Sequence, residues 1–110
     1  MLDPLLKKDS LTEDQETAAA NALIALGDCQ REAKAFNDAL DSYLLVVTVF
    51  DLDLDLAAQA RYKAAQTFEQ LGNWKRARGS YAEVLKQSPQ AAFAADAQKR
   101  LTALNEAHPE

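Results

Sequence analysis

The sequence predicts an all-α protein in which antiparallel helical hairpins stack side by side, about five helices in all. Three observations predict it. First, two helical patterns run in series between Leu56 and Pro89. LAAQARYKAAQTFEQLG places Ala57, Ala60, Ala64, Ala65, Phe68 and Leu71 at three- and four-residue steps. WKRARGSYAEVLKQ does the same with Trp74, Ala77, Tyr81, Val84 and Leu85. That spacing gathers each apolar set on one face of a 3.6-period helix. Second, Gly72-Asn73 separates the two patterns, and both residue types tolerate the positive φ that ends one helix and reverses the chain. Third, a weaker copy of the unit lies earlier in the chain, at one constant offset. Phe36, Ala39 and Tyr43 stand where Trp74, Ala77 and Tyr81 stand, and Leu23-x2-Leu26-Gly27 stands where Arg61-x2-Ala64-Ala65 stands.

The totals agree with one helical domain. The chain has 110 residues, within the usual size of a single domain. A hydrophobic share of 48% argues against disorder throughout. Much of it is alanine, which favours helices in close contact. Three glycines and three prolines leave room for long helices. The net charge of −5 argues against nucleic acid and anionic membrane as partners, because both need clustered Lys and Arg. A neutral or basic peptide suits it better. The single cysteine, Cys29, excludes an internal disulfide and a cysteine zinc site. No stretch has the length and apolarity of a membrane span, and MLDPLLKK lacks the basic-then-apolar order of a signal peptide. A complete chain would be cytoplasmic; a piece excised from a longer exported protein could be periplasmic.

Taken in order, residues 1–9 read as a tail, because Asp3-Pro4 interrupts any helix, although Leu2, Leu5 and Leu6 could pack on something. Ser10-Leu-Thr-Glu13 reads as a capping box that opens a helix from about Leu11 to Glu32. Glu13, Asp14 and Glu16 favour the positive end of its dipole. Gly27, inside this helix, lets a neighbour approach closely. The second helix spans Phe36 to Phe50. Leu44 to Phe50 has the composition of a strand, but it continues the register of Ala39 and Tyr43, and packing overrides propensity. It is apolar on every face, so Leu45, Val49 and Phe50 need cover from the N-terminal leucines, a second copy of the chain or a neighbouring repeat. Asp51-Leu-Asp53-Leu-Asp55-Leu56 is a solvated turn between units, with Asp53 or Asp55 available as a cap. A calcium loop would need glycine at Leu56 and glutamate at Tyr62.

The third and fourth helices are the two opening patterns. Ser88-Pro89 then reads as an N-cap and first helical position. The fifth helix is expected from Pro89 to Glu106, with Phe93, Ala97, Leu101 and Leu104 as its stripe and Lys99 and Arg100 outward. It lacks the Leu-Gly pair of the repeat and so reads as a terminal cap. The domain is expected over 10–107, with 108–110 fraying. Lys75-Arg76-x-Arg78 is a basic cluster at a helix start, suited to an acidic group or simply exposed. No catalytic set is visible. His108, the one histidine, sits in the tail without a nearby partner. Cys29 lies on the first helix without a base. There is no phosphate loop and no zinc spacing. Neither an enzyme, a metal nor a cofactor is expected.

These repeated residues resemble the tetratricopeptide repeat family, whose pattern is W-x2-L-G-x2-Y, then A-x3-F, then P, at a period of about 34 residues. The second copy keeps Ala65, Phe68, Gly72, Trp74, Ala77, Tyr81 and Pro89 but has Arg61 and Ala64 for the family's Trp and Leu. The first keeps Leu26-Gly27, Ala39 and Tyr43 but has Gln30 for the aromatic and no closing proline. The resemblance covers roughly residues 20 to 91. It implies two repeats plus a C-terminal capping helix, stacked as a short right-handed α-solenoid. It also implies a concave groove, lined by the first helix of each pair, that holds a peptide or helix of a partner protein. Carried over by position, Asn21, Ile24, Asp28 and Arg31 would face the groove from the first repeat, and Gln59, Tyr62, Lys63, Gln66 and Glu69 from the second. Asp96 and Arg100 would close its end, with Lys63 or Arg100 available to a carboxylate.

The lysine and asparagine clamp that some members use for chaperone C-termini is replaced by Ile24 and Asp28, which disfavours that partner. The expected function is therefore a non-catalytic interaction module. The alternative is a self-assembly unit that buries Leu45, Val49 and Phe50 against another copy. A third reading follows from SPQAAFAADAQKRL, which is similar to repeat ends in periplasmic lipoproteins and in partners of cell-envelope machinery, and implies a scaffold fragment of a bacterial envelope-assembly protein.

Overall fold

The computed structural model describes residues 12–50, 54–89 and 92–108. Within them the chain forms α1 (Glu13–Glu32), α2 (Phe36–Val49), α3 (Leu54–Gln70), α4 (Trp74–Gln87) and α5 (Ala94–Ala107), and no strand. Each helix packs on the next in sequence, so α1–α2 and α3–α4 are hairpins and α5 closes against α4. The extents are 47 × 30 × 19 Å, and the short axis corresponds to two helix diameters.

Helix α1 is opened by Thr12 rather than by Ser10, which lies outside the described residues. The Thr12 hydroxyl accepts from the Gln15 amide at 3.1 Å, and Gln15 Oε1 accepts from the Thr12 amide at 3.0 Å. Thr12-x-x-Gln15 satisfies the same capping-box rule slightly later in the chain and still leaves Glu13, Asp14 and Glu16 in the first turn.

The two hairpin turns are the same turn. The Ala35 amide donates to the Gln30 carbonyl at 2.8 Å and the Asn73 amide to the Phe68 carbonyl at 2.9 Å. Lys34 (φ 65°) and Gly72 (φ 75°) occupy the left-handed position in each. The offset that carries Tyr43 onto Tyr81 also carries each of these turn residues onto its counterpart. The geometry is that of a helix closed by one left-handed residue.

Helix α2 stays helical through Leu44–Val49, against its strand-like composition. Tyr43 and Val46 are fully buried. Phe50 caps the helix at 1% exposure and belongs to the core, so the expectation that it offers a surface for self-association is corrected. Val49 packs on the same core and Leu45 is half-buried. The apolar faces of α2 are taken largely by α1 on one side and α3 on the other.

Matched residues of the two hairpins form matched layers. Ala39 and Ala77, Tyr43 and Tyr81, and Val46 and Val84 are all fully buried. Burying a valine in this way contributes about 1.5–3 kcal/mol. A Cβ on Gly27 would lie 2.5 Å from Cε1 of Tyr43, so the close approach read from the sequence is made by that ring.

Helix α3 starts at Leu54, slightly before the expected Leu56; Asp55 stands inside its first turn, and Asp53 lies outside the described residues. Helix α5 begins at Ala94, not at Pro89. Ser88 donates its amide to the Val84 carbonyl and closes α4, and Phe93 becomes the N-cap of α5. The physical reason lies in Phe93. Its ring stacks on Tyr62 at a centroid distance of 5.1 Å, and this aromatic contact outweighs the local Ser-Pro signal. His108 is not frayed or alone. It stacks on Trp74 at 4.1 Å, and its carbonyl accepts from Arg78 Nη1 at 2.6 Å. Arg78 thus sits favourably at the negative end of the α5 dipole.

Candidate protein-interaction face

Helices α1, α3 and α5 present polar side chains to one another, because their apolar stripes are spent on α2 and α4. Two carboxylates organise this face. Asp28 on α1 receives Lys63 Nζ of α3 at 3.0 Å on each oxygen, and the Tyr43 hydroxyl at 2.5 Å. Glu69 on α3 receives the Tyr81 hydroxyl and the forked guanidinium of Arg100 on α5, whose Nε donates at 3.1 Å. Each carboxylate therefore holds a buried tyrosine of its own hairpin and a cation from the next helix on this face.

The electrostatics follow. Burial alone would raise the Asp28 carboxyl, but the Tyr43 hydroxyl, Lys63 and Arg31 outweigh it and hold it below the ordinary 3.8. Burial, and then Asp28, push the Tyr43 hydroxyl upward. Burial, and then Glu69, do the same to Tyr81. Glu69 raises Arg100 further above its ordinary value, so the guanidinium stays charged across the accessible range.

Between these two clusters lies a cavity of about 450 Å³, lined by Arg31, Gln66, Glu69, Gln70, Asp96 and Arg100. Arg31 Nη1 donates to Gln66 Oε1 at 3.1 Å, and the Tyr62 hydroxyl donates to Asp96. Two cations and two carboxylates on the wall leave it neutral. Most of the lining donors and acceptors are held by partners on neighbouring helices, so the wall is preorganised for a polar occupant.

Asp28, Arg31, Tyr62, Lys63, Gln66, Glu69, Asp96 and Arg100 are brought together here on one face. Ile24 is not part of the surface; at 5% exposure it is packed in the core. Asn21 is exposed and Gln59 half-buried, away from the cavity wall. Lys63 and Arg100, offered in the sequence reading to a ligand carboxylate, are each neutralised within the chain. Sequence reasoning passed over Gln70, although it stands one helical turn after Gln66 on the same face. It also passed over the tyrosine hydroxyls, although a buried Tyr43 or Tyr81 must find an acceptor. Among the described residues, no group of His, Cys, Asp and Glu could hold a metal ion, and no helix is long and apolar enough to cross a membrane.

No curated protein and no solved structure matches the chain. A family model does: residues 59–91 match the tetratricopeptide repeat. That segment holds most of the second hairpin with its turn at Gly72-Asn73. The first hairpin repeats its turn hydrogen bonds and its buried alanine, tyrosine and valine at the same offset throughout. Repeats of this kind generally mediate contacts between proteins. The match covers the second hairpin, and the internal duplication extends the same pattern of turn and buried residues to the first.

Proposed function

We propose that the α1–α3–α5 face is a non-catalytic binding surface for an extended segment of a partner protein, seated in the cavity between Arg31 and Arg100. The observation that carries this reading is the wall itself. Six polar side chains from three helices converge on about 450 Å³, with their charges balanced inside the chain. A neutral wall does not select a strongly charged ligand. It suits a backbone, whose amides and carbonyls can be met by Gln66 and Gln70. Arg31 is in no ion pair among the described residues and is open to a single acidic side chain or carbonyl. Tyr62 adds an amphipathic edge.

The test is selection of peptides from a displayed random library on the intact chain. Selected peptides should lose binding about tenfold or more on Gln66→Ala with Gln70→Ala, a cost of two or three hydrogen bonds. They should be indifferent to Asp41→Ala, an exposed change on α2, and circular dichroism should show both variants folded. Peptides that bind equally well to the glutamine double variant would remove the cavity from the reading.

A further inference from the structure

Helices α1 and α3 hold equivalent places in the two hairpins, so a position on one has its counterpart on the other at the repeat offset. On α3, Leu56, Ala60, Ala64 and Thr67 form one stripe. Ala60, Ala64 and Thr67 are fully buried and Leu56 packs on the core. This stripe is turned to α2. The other buried flank of α3 carries Ala65, whose counterpart Gly27 abuts Tyr43 of its own hairpin partner, so that flank is turned to α4. The stripe equivalent to Leu56–Thr67 on α1 is Ala18, Ala22, Leu26 and Cys29. All four are exposed, Leu26 at 48%, the largest exposure of any large apolar side chain among the described residues. The adjoining Ala25 is exposed too, no charge interrupts the stripe, and the exposed acids Asp14 and Glu32 stand at its two ends.

We propose that this side of α1 docks an amphipathic helix of a partner protein, lying on α1 as α2 lies on α3. Its large aliphatic side chains sit over Ala18, Ala22 and Cys29, and lysine or arginine on its rim meets Asp14 and Glu32. The small residues allow two helix axes to approach closely and leave hollows for larger side chains. The interface continues the one already built between the two hairpins, and it lies on a different side of α1 from Asp28 and Arg31. Among the described residues, a second copy of the chain supplies no such helix. Its α2 and α4 are already covered by α3 and α5, and α5 turns Gln98, Lys99, Thr102 and Asn105 to solvent. Pairing α1 with α1 would oppose alanine to alanine and acid to acid.

Cys29, the lone cysteine, reports on occupancy because it is exposed within the stripe. The probe is a synthetic peptide with the sequence of residues 73–88, an amphipathic helix in the structure with Lys75, Arg76, Arg78 and Lys86 among its charges. Added to the full chain, it should slow alkylation of Cys29 by iodoacetamide about tenfold when the site is nine-tenths filled. It should have no effect on Ala22→Glu, whose exposed position leaves the fold intact by circular dichroism. No slowing in the wild type at millimolar peptide, or equal slowing in the variant, overturns the proposal. Two further controls need no peptide. If Cys29 reactivity falls as protein concentration rises and light scattering gives a dimer, a second copy covers the face and the proposal is wrong. If reactivity rises when residues 1–11 are removed, the chain covers its own face and the proposal is equally wrong.

Discussion

At the scale of single residues, Gly27 and Lys34 carry opposite lessons. Gly27 is in place because the Tyr43 ring, fully buried and anchored on Asp28, leaves no room for a Cβ. Gly27→Ala should therefore cost about 1–3 kcal/mol by urea denaturation, the usual penalty for overpacking, although alanine is the better helix former. Lys34 is not well matched to its place. It holds φ 65° where the second hairpin has glycine. A side chain in the left-handed region costs roughly 1–2 kcal/mol, offset in part by the greater freedom of glycine in the unfolded chain. Lys34→Gly should raise stability by about 0.5–1 kcal/mol in the same measurement; a loss would mean that the lysine side chain makes a contact worth more than the strain. The acid response is also a residue property. The folded-state value of Asp28 is lowered, so its contribution is present above the ordinary carboxyl value of 3.8 and is lost as pH falls through the lower folded value. The melting temperature of wild type should exceed that of Asp28→Asn near pH 6, and the gap should narrow as pH falls below the ordinary carboxyl value of 3.8.

At the scale of elements, the ties between helices are mostly shared acceptors. Glu69 on α3 receives one donor from α4 and another from α5. Glu69→Gln keeps a carbonyl for Tyr81 but loses the forked pairing with Arg100. Hydrogen exchange of the α5 amides should accelerate while those of α3 and α4 change little, because only the last helix depends on that pair. Equal acceleration in all three would make the carboxylate a support of the whole array. Helix identity was legible in the sequence wherever an apolar stripe could be followed, and even for Leu44–Val49, where register from Tyr43 outweighed strand propensity. Helix ends were less legible. Thr12 and Ser10 satisfy the same capping rule, and nothing local prefers one. The start of α5 was hidden because it is set by the stack of Phe93 on Tyr62, a contact between separate helical units. The site was legible to the level of face and no further. The resemblance to the repeat puts Asp28, Lys63 and Glu69 on one side of the first helices, but whether a lysine is free or already bound depends on the spacing between helices, which a single-helix pattern does not contain.

At the scale of the whole molecule, the two hairpins are alike and their surroundings are not. Ala22 and Ala60 are counterparts, yet one is exposed and the other fully buried. The same change should therefore have opposite outcomes. Ala60→Glu should unfold the chain or cost more than about 4 kcal/mol, while Ala22→Glu should stay within about 0.5 kcal/mol of wild type by denaturant titration. The identical turns at Lys34 and Gly72 carry a further consequence, an evolutionary one. Because the backbone leaves each first helix by the same bonds at the same bend, an in-frame exchange of genetic material between the two bends would join helix to helix without disturbing the local geometry on either side. A gene of this kind is free to gain or shed whole units by unequal recombination, and its descendants should differ in length by multiples of one period more readily than by single residues.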